Sequence, residues 1–522
     1  MFDGPDRTSH ELEDFPPNIP HEDIEELKEL DGFEEESLLR DEKPVARSLG
    51  PSMGCLVAFV PGFLRSRFVV GLLQLLVPSF LRSEPAAPKR LHSTAWLDGM
   101  RGVSALCVAI YHSSLVWFAV DLHYKLEPGS FEILKMPIIR LLVSGPPHVA
   151  MFFIVSGYAI SHKPLKLMHQ GRFADVGSAL GSAFFRRHPR LFMPAAVVTF
   201  FTALMTQLNW FDPAGQGLPG TAFPTREPPH ANNLYDQMLH FAMAEIQNTD
   251  PVGQEHVTGT VPRRVANPYD PNLWTLPIEF NSSMVVFMFL AAFSRVRNRV
   301  RMAFAFALLV YFEYFWAYWA LFLFLSGMLI CDLHFEIDDY HAQSAKRGTS
   351  GDGAVLPLWT RVPHGIVSKI ARTLLGSRFL GRITGISLFI LALWLLSLYE
   401  QEPIDTFHTH LGAILIVFVV DHAPFLQIIF TNSFSQYLGR ISYSLYLVHG
   451  PLLWTLGAAL GHRCLAFTGA DTNEQWVLGI AMAACLWWPV AIWVSDLTYR
   501  VVDAKCVQLA RWSYEKLLKK DS

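Results

Sequence analysis

Arg101 and His112 lie in Trp96-Leu97-Asp98-Gly99-Met100-Arg101-Gly102-Val103-Ser104-Ala105-Leu106-Cys107-Val108-Ala109-Ile110-Tyr111-His112, a mostly apolar stretch long enough to cross a bilayer. Eleven helical steps of about 100° return to within about 20° of the start, so both side chains share one helix face, about 16 Å apart along the axis. The arginine then sits near one headgroup layer and the histidine near mid-membrane. An ionisable side chain at that depth is expensive and marks a functional site by default. A neutral imidazole there can accept a proton from an attacking hydroxyl.

Other polar side chains keep this pair company. Asp98 stands three residues before Arg101 and pairs with it on one helix face. His449, in Ser442-Tyr443-Ser444-Leu445-Tyr446-Leu447-Val448-His449, is a second histidine in an apolar segment, with Ser442 and Tyr446 on nearly the same face. Glu279, in Trp274-Thr275-Leu276-Pro277-Ile278-Glu279, lies inside another apolar segment, where a carboxylate needs a partner, a cavity or a proton. Arg186-Arg187-His188-Pro189-Arg190 opens a further segment. Such a cluster binds anionic lipid or, because arginine forks match phosphate oxygens, a phosphorylated cofactor. Together these groups suit transfer of an acyl group from a coenzyme A thioester to an alcohol. The chain shows no Gly-x-Ser-x-Gly elbow, His-Glu-x-x-His or phosphate-cradling glycine loop. A serine hydrolase and a P-loop pump are disfavoured accordingly.

The elements that must position these residues are membrane helices. The chain is 51% hydrophobic and only 17% charged, and its apolar residues gather in blocks, which indicates a polytopic membrane protein. A net charge of −4 argues against nucleic acid as a partner. The six cysteines show no CxxC or Cys/His metal spacing and read as small hydrophobes. Residues 1–54 are an acidic cytosolic N-terminus expected to be disordered, not a signal peptide. Residues 55–91 are an interfacial segment, interrupted by Arg65, Arg67, Pro61 and Pro78. Residues 92–500 form the membrane domain, and 501–522 a basic cytosolic tail.

Within that domain ten apolar segments are expected near 99–120, 142–161, 191–211, 274–294, 302–315, 316–333, 383–399, 409–424, 441–460 and 477–497. The fifth and sixth are split near Glu313-Tyr314-Phe315-Trp316, because one helix of about 32 residues overshoots a 30 Å core. Alternate loops carry the positive charge: Lys163 to Arg190, Arg295 to Arg301, Lys346 to Arg382, and Lys505 to Lys520. The positive-inside rule makes that side the cytosol. The expected fold class is an all-α polytopic membrane protein with about ten transmembrane helices and both termini cytosolic. Leu234 to Met243, in the long outer loop, reads as a short amphipathic helix on the outer surface. No internal repeat is visible, so an inverted-repeat transporter gains no support.

The motifs resemble those of a known family. Leu97-Asp98-Gly99-Met100-Arg101-Gly102, ending at His112, looks like the first signature of the acyltransferase-three family of integral membrane O-acyltransferases. Phe152-Phe153-Ile154-Val155-Ser156-Gly157-Tyr158 resembles its FF-x-x-SG segment. Arg187-x-x-Arg190 with Pro194, Trp274-x-Leu276-x-x-Glu279, and Ile441 to His449 follow in the right order. The resemblance covers roughly residues 92–512. It implies ten membrane helices, acyl-CoA used from the cytosol, and acceptors among sugars, lipids and small molecules. The acidic N-terminus and Asp503 look fungal. The extra hydrolase-like domain of many bacterial members is expected to be missing, which implies direct transfer to an acceptor reaching the membrane site. His148 stands where many members of the family it resembles have a small or apolar residue, and it reads as a loop histidine.

The resulting expectation is an acyl-CoA-dependent O-acyltransferase, using acetyl-CoA, with no metal or prosthetic group. His112 is the general base. Arg101, Arg187 and Arg190 hold the coenzyme A phosphates, and Arg101 also positions the catalytic helix. Glu279 and His449 shape or polarise the acceptor site, and Trp274, Ser442 and Tyr443 bind the acceptor. Its partners are membrane lipid, acyl-CoA and a hydroxyl-bearing acceptor, with fungal secondary metabolism as the setting. It is placed as a multi-pass protein of the endomembranes (ER or Golgi) or the plasma membrane. The rival classes are a proton-coupled transporter using His112, Glu279 and His449 as a relay, and a non-catalytic scaffold of the same fold.

Overall fold

The computed structural model describes residues 76–81, 91–118, 133–218, 227–250, 267–316, 318–348, 378–398 and 406–518. The expected N-terminal disorder over 1–54, and most of the 55–91 segment, lie outside them. Among the described residues the chain is all-helical, with one isolated bridge between Asn267 and Asp270.

All ten apolar segments fall on helices. These are α1 (Ala95–Trp117), α2 (Pro146–His169), α3 (Phe173–Gln207), α5 (Thr275–Ala292), α6 (Asn298–Tyr311), α7 (Trp319–Gly348), α8 (Arg378–Leu396), α9 (Phe407–His422), α11 (Ser433–Leu452) and α13 (Asn473–Thr498). Between them come α4 (Leu234–Thr249), α10 (Pro424–Thr431) and α12 (Ala458–Thr468), and α14 (Ala504–Leu517) follows. The long apolar run from Met302 to Leu333 breaks at a wide turn, Phe312–Trp316, where the split was expected. Among the described residues four helical runs are long and apolar enough to cross a membrane, or five if α9 and α10, bent by 104°, count as one broken span. On α8, Ile383, Ile386, Ile390 and Trp394 turn outward at helical spacing, as a lipid-facing stripe does.

Small residues set how closely the helices approach. A Cβ on Gly102 of α1 would lie 2.3 Å from the backbone nitrogen of Gly439 on α11. A Cβ on Gly157 of α2 would lie 2.1 Å from the Phe324 carbonyl on α7, and one on Gly327 would lie 2.0 Å from the Ile154 carbonyl. Lipid tails are as apolar as leucine, so membrane helices associate through such close packing rather than through hydrophobic gain. The glycines of the first two motifs are therefore packing residues, and they fix which faces of α1 and α2 meet their neighbours.

Three details differ from the sequence reading. First, α4 is longer than expected and inside-out: it buries Gln237, Glu245 and Asn248 and exposes Tyr235, Leu239, Met243 and Ile246. Its polar stripe packs against α3, where the Thr199 hydroxyl donates to Glu245 Oε1 (2.9 Å), and against the 267–270 turn, where Asn267 Nδ2 donates to the same atom (2.6 Å). These hydrogen bonds seat it together with a small apolar cluster of Ala244, Met238 and Phe241 against Ala203 and Tyr269. Second, Arg301, counted among the loop charges, is wholly buried inside α6 and holds Asp332 of α7 with both Nε (2.8 Å) and Nη2 (2.6 Å). Third, the helix continues past the expected boundary at 500 through a wide turn, Tyr499–Asp503, into α14. Tyr514 of α14 then packs on Phe185 of α3.

Residues 76–81, the described part of the 55–91 segment, are fastened to the end of α13. Trp493 donates to the Leu76 carbonyl (2.7 Å), Ser79 binds the buried Asp496 carboxylate through its backbone nitrogen and its hydroxyl, and Arg500 Nη2 donates to the Val77 carbonyl (3.3 Å).

Candidate active site

The two histidines meet. His112 on α1 and His449 on α11 approach Nδ1 to Nε2 at 2.8 Å, with parallel rings and centroids 5.0 Å apart. Both the distance and the ring geometry fit a hydrogen bond in the common ring plane. His449 Nδ1 lies 2.9 Å from the Leu445 carbonyl of its own helix. A carbonyl only accepts, so His449 Nδ1 carries the hydrogen. With both rings neutral, His449 Nε2 is then the acceptor, and His112 Nδ1 donates to it. His112 is left with an unprotonated Nε2, which makes no hydrogen bond among the described residues. The direction of the chain follows from one backbone carbonyl.

A second constellation gathers the remaining motifs. Arg187 of α3 is buried and donates through Nη2 to Glu279 Oε1 (2.8 Å) and through Nε to Ser283 Oγ (3.0 Å), both on α5. Ser156, the serine of the FF-x-x-SG segment on α2, donates to the same Glu279 oxygen (3.2 Å). Ser283 in turn donates to the Glu279 backbone carbonyl (2.7 Å). A buried ion pair is stable only when its remaining hydrogen-bonding capacity is met, and these serines supply part of that. Three motifs distant in sequence thus close on one carboxylate. Arg190 lies one turn further along α3, close enough to Asp503, Glu279 and Tyr443 to feel their charge. Arg101, held by Asp98 at 3.6 Å, is electrostatically close to Arg187 and Asp503.

One face of α11 joins the two groups. Tyr443, whose hydroxyl donates to the Leu191 carbonyl, stands beside Tyr446, and Tyr446 beside His449, each ring centroid 6.3 Å from the next. Tyr446 donates to the Asn272 carbonyl and accepts from the Thr275 hydroxyl (2.7 Å).

The structure does not bring every expected residue to these groups. The Ser442 hydroxyl is spent on the Gly439 carbonyl of its own helix (2.8 Å). Trp274 is 37% exposed and packs toward Trp319. His148 is buried at the start of α2, with Nε2 on the Leu141 carbonyl (2.9 Å) and Nδ1 without a partner among the described residues. Conversely, Asp503 is 4% exposed and joins the arginine cluster, although its position beyond the last apolar segment gave it the look of a tail residue. Ser156 lay in a noted motif, but nothing in that motif says that its hydroxyl faces Glu279. Metal-ligand side chains converge at His334, Asp421 and His422, and at His169, Glu336 and Asp339. Hydrogen bonds already engage both groups: Asp421 accepts from Tyr158 (3.0 Å) and pairs with His334 (3.1 Å).

The family described as an acyltransferase domain, the acyltransferase-three family, matches residues 94–494. The O-acetyltransferase PaAT-1 of Phomopsis amygdali is 46% identical over 86% of this chain and 89% of its own length. Acyltransferase R4 of a Phoma species is 22% identical over 81% of this chain and 96% of its own, and acyltransferase clz18 of Cochliobolus lunatus 21% identical over 79% and 95%. No solved structure matches.

Proposed function

The chain belongs to the acyltransferase-three family of membrane O-acyltransferases, and from that premise we propose that it moves an acetyl group from acetyl-CoA to a hydroxyl of a small molecule, lipid or glycan. The observation that carries this reading is the directed hydrogen-bond chain from the Leu445 carbonyl through His449 to His112. His112 Nε2 takes the acceptor's proton as the acceptor oxygen bonds to the thioester carbonyl carbon. The carbon–sulfur bond breaks, and the departing sulfur takes that proton back from the imidazolium, giving the ester and free coenzyme A. His449 spreads the transient positive charge and holds the His112 ring in the competent tautomer.

The second constellation serves the donor. Arg190 and Arg101 face the coenzyme A phosphates. Arg187, fixed by Glu279 and Ser283, keeps the carboxylate in place and adds positive field at the entrance. Arg101 and His112 are about 16 Å apart along α1, so phosphates at the helix entrance leave the extended pantetheine arm to carry the thioester inward to the base. The topology we propose is ten spans with both termini cytosolic, which puts the arginines on the cytosolic side. The fungal sources of the relatives support a fungal setting for this chemistry.

The test is coenzyme A release by protein purified in lipid nanodiscs, supplied with acetyl-CoA and a panel of hydroxylated acceptors. Acceptor-dependent release with a matching gain of one acetyl group on the acceptor is the expected result. Proton-coupled uptake into vesicles without release of coenzyme A overturns it in favour of a transporter. Reporter fusions after residue 230 should read lumenal, and those after residue 360 cytosolic.

A further inference from the structure

A carboxylate buried without a permanent counter-charge stands at the elbow between α9 and α10. The Asp421 side chain is 2% exposed, and among the described residues its ion pairs are with His334 and His422, not with lysine or arginine. Asp332 and Asp496, by contrast, are gripped by Arg301 and Arg500. An imidazole balances a carboxylate only while it is protonated, and an unbalanced buried carboxylate is costly.

The three side chains converge as metal ligands do. His334 Nδ1 lies 3.1 Å and His422 Nδ1 3.5 Å from the same oxygen, Asp421 Oδ2. One ligand atom from each residue lies within 4.8 Å of the other two. Tetrahedral zinc, with bonds of about 2.0–2.1 Å, holds its ligand atoms about 3.3–3.5 Å apart. Two edges of that figure are therefore nearly formed, and closing on a cation needs no cavity. Outer contacts already orient the ligands. Tyr158 donates to Asp421 Oδ1 (3.0 Å), and Asp338 Oδ2 faces His334 Nε2 at 3.4 Å. Metal-bound histidines commonly turn their second nitrogen to a carboxylate in this way. His422 Nδ1 donates to the Phe418 carbonyl (2.9 Å), and a cation bound there takes the place of that hydrogen. His334 and His422 are partly exposed, which leaves a way in from the surface. No sequence spacing announces the group, because His334 and Asp421 are 87 residues apart.

We propose that His334, Asp421 and His422 bind a divalent cation of the zinc type, with water in the fourth position. Two imidazoles and a carboxylate suit zinc, whereas magnesium and calcium take sites built from oxygen. The cation supplies the positive charge that Asp421 lacks and staples α7 to the end of α9. The chain bends by 104° directly after His422, and Gln427 of α10 donates to the Val420 and Asp421 carbonyls (3.0 and 3.3 Å). Helix α10 in turn lies against the first motif, where the Phe430 carbonyl fills the space that a Cβ on Gly99 would need. The staple therefore fixes the elbow that backs α1 beside Arg101. In the ten-span topology proposed above the site faces the cytosol. The cation holds structure there and takes no part in acyl transfer.

The experiment titrates chelator-stripped, tag-free protein in nanodiscs with zinc, and follows cobalt as a spectroscopic stand-in through its visible absorption. Wild type should bind about one zinc per chain, and excess magnesium should not displace it. Zinc should raise the unfolding temperature of wild type and leave that of His422→Gln unmoved. His334→Gln and His422→Gln should each weaken zinc binding more than about tenfold. Asp338→Asn, which alters only an exposed outer contact, should weaken it about tenfold and keeps the test valid if a histidine variant fails to fold. Cobalt should lose its tetrahedral absorption in both histidine variants. No zinc bound by wild type, or zinc displaced by magnesium, overturns the site and leaves a hydrogen-bonded cluster. Unchanged affinity in His422→Gln and Asp338→Asn overturns it as well, because the zinc then sits elsewhere. Every readout is binding or unfolding, so the outcome stands apart from the acyl-transfer reading.

Discussion

Two of the networks that contain histidine, compared side by side, are built on opposite plans. On α2, α6 and α7, Arg301 grips Asp332 with two nitrogens, His169 binds Asp332 through Nε2 (2.8 Å) and Asp339 through Nδ1 (2.6 Å), and Asn298 reaches Glu336 (3.3 Å). Both nitrogens of His169 are occupied there. Between α1 and α11, by contrast, His112 and His449 are linked so that one ring nitrogen is left over. The first network carries more charge, yet both nitrogens of its histidine are already spent on carboxylates. The difference teaches that in a membrane interior spare hydrogen-bonding capacity, rather than charge, separates a reactive group from a structural one.

The largest expected effect breaks the comparison at its reactive end. His112→Gln should lower acetyl transfer about 10²–10⁴-fold, the usual cost of a lost general base, with unfolding temperature and acetyl-CoA binding near wild type. His449→Gln should cost less if it only orients. If His449→Gln proves dead while His112→Gln stays active, the direction assigned to the hydrogen-bond chain is reversed.

The saturated network should answer in the opposite currency. Arg301→Met strands the Asp332 carboxylate and should cost about 3–5 kcal/mol of stability, seen as a lower unfolding temperature, while turnover per folded molecule stays unchanged. A specific loss of turnover at full stability would mean that this network also serves the chemistry.

A smaller effect separates the two arginines of the third helix. Arg190→Ala should raise the Michaelis constant for acetyl-CoA about tenfold, and added salt should narrow the gap to wild type. Unchanged donor affinity in folded protein would return Arg190 to a lipid-anchoring role.

The smallest effect is a pH slope. Asp270 is raised from 3.8 to about 7 by burial, so between those values the folded state binds the extra proton. Stability should therefore fall as pH rises from about 4 to about 7 and level off above. Unfolding temperatures measured from pH 5 to pH 8 should show a shallower decline in Asp270→Asn than in wild type. Identical slopes would show that Asp270 reaches solvent or a cation.

The sequence carried the helices and the chemistry unequally. Apolar blocks are long and composition marks them, so a helix at each block and the break near Glu313 were legible, although only four or five of the described runs are long and apolar enough to cross a membrane. His112, His449 and Glu279 were legible because an ionisable residue is costly in an apolar run. What stayed hidden depends on rotation and depth. Arg301 looked like one more basic loop residue, since nothing local shows that Asp332 waits on the neighbouring helix. Asp503 lay past the last hydrophobic stretch, and only the continuation into α14 returns it to the cluster. Helix α4 had a recognisable amphipathic pattern, but the pattern does not say which face turns inward, and here the polar one does. Arg187 was read as a phosphate ligand from its charge, whereas its pairing with Glu279 is a tertiary fact.

The fit of Gly102 against Gly439 bears on how the protein is made. The first helix of the described membrane domain finds its partner only after more than 300 further residues have been synthesised. Until then α1 carries a bare, small-residued face and one half of the histidine pair. Its Asp98 and Arg101 can pair with each other, but His112 has no His449. On the mechanism proposed above, activity needs both sides of this seam: a product that stops before α11 exposes the glycine face and lacks His449. A closed α1 and α11 seam is the molecular signature by which the finished protein differs from its unfinished copies.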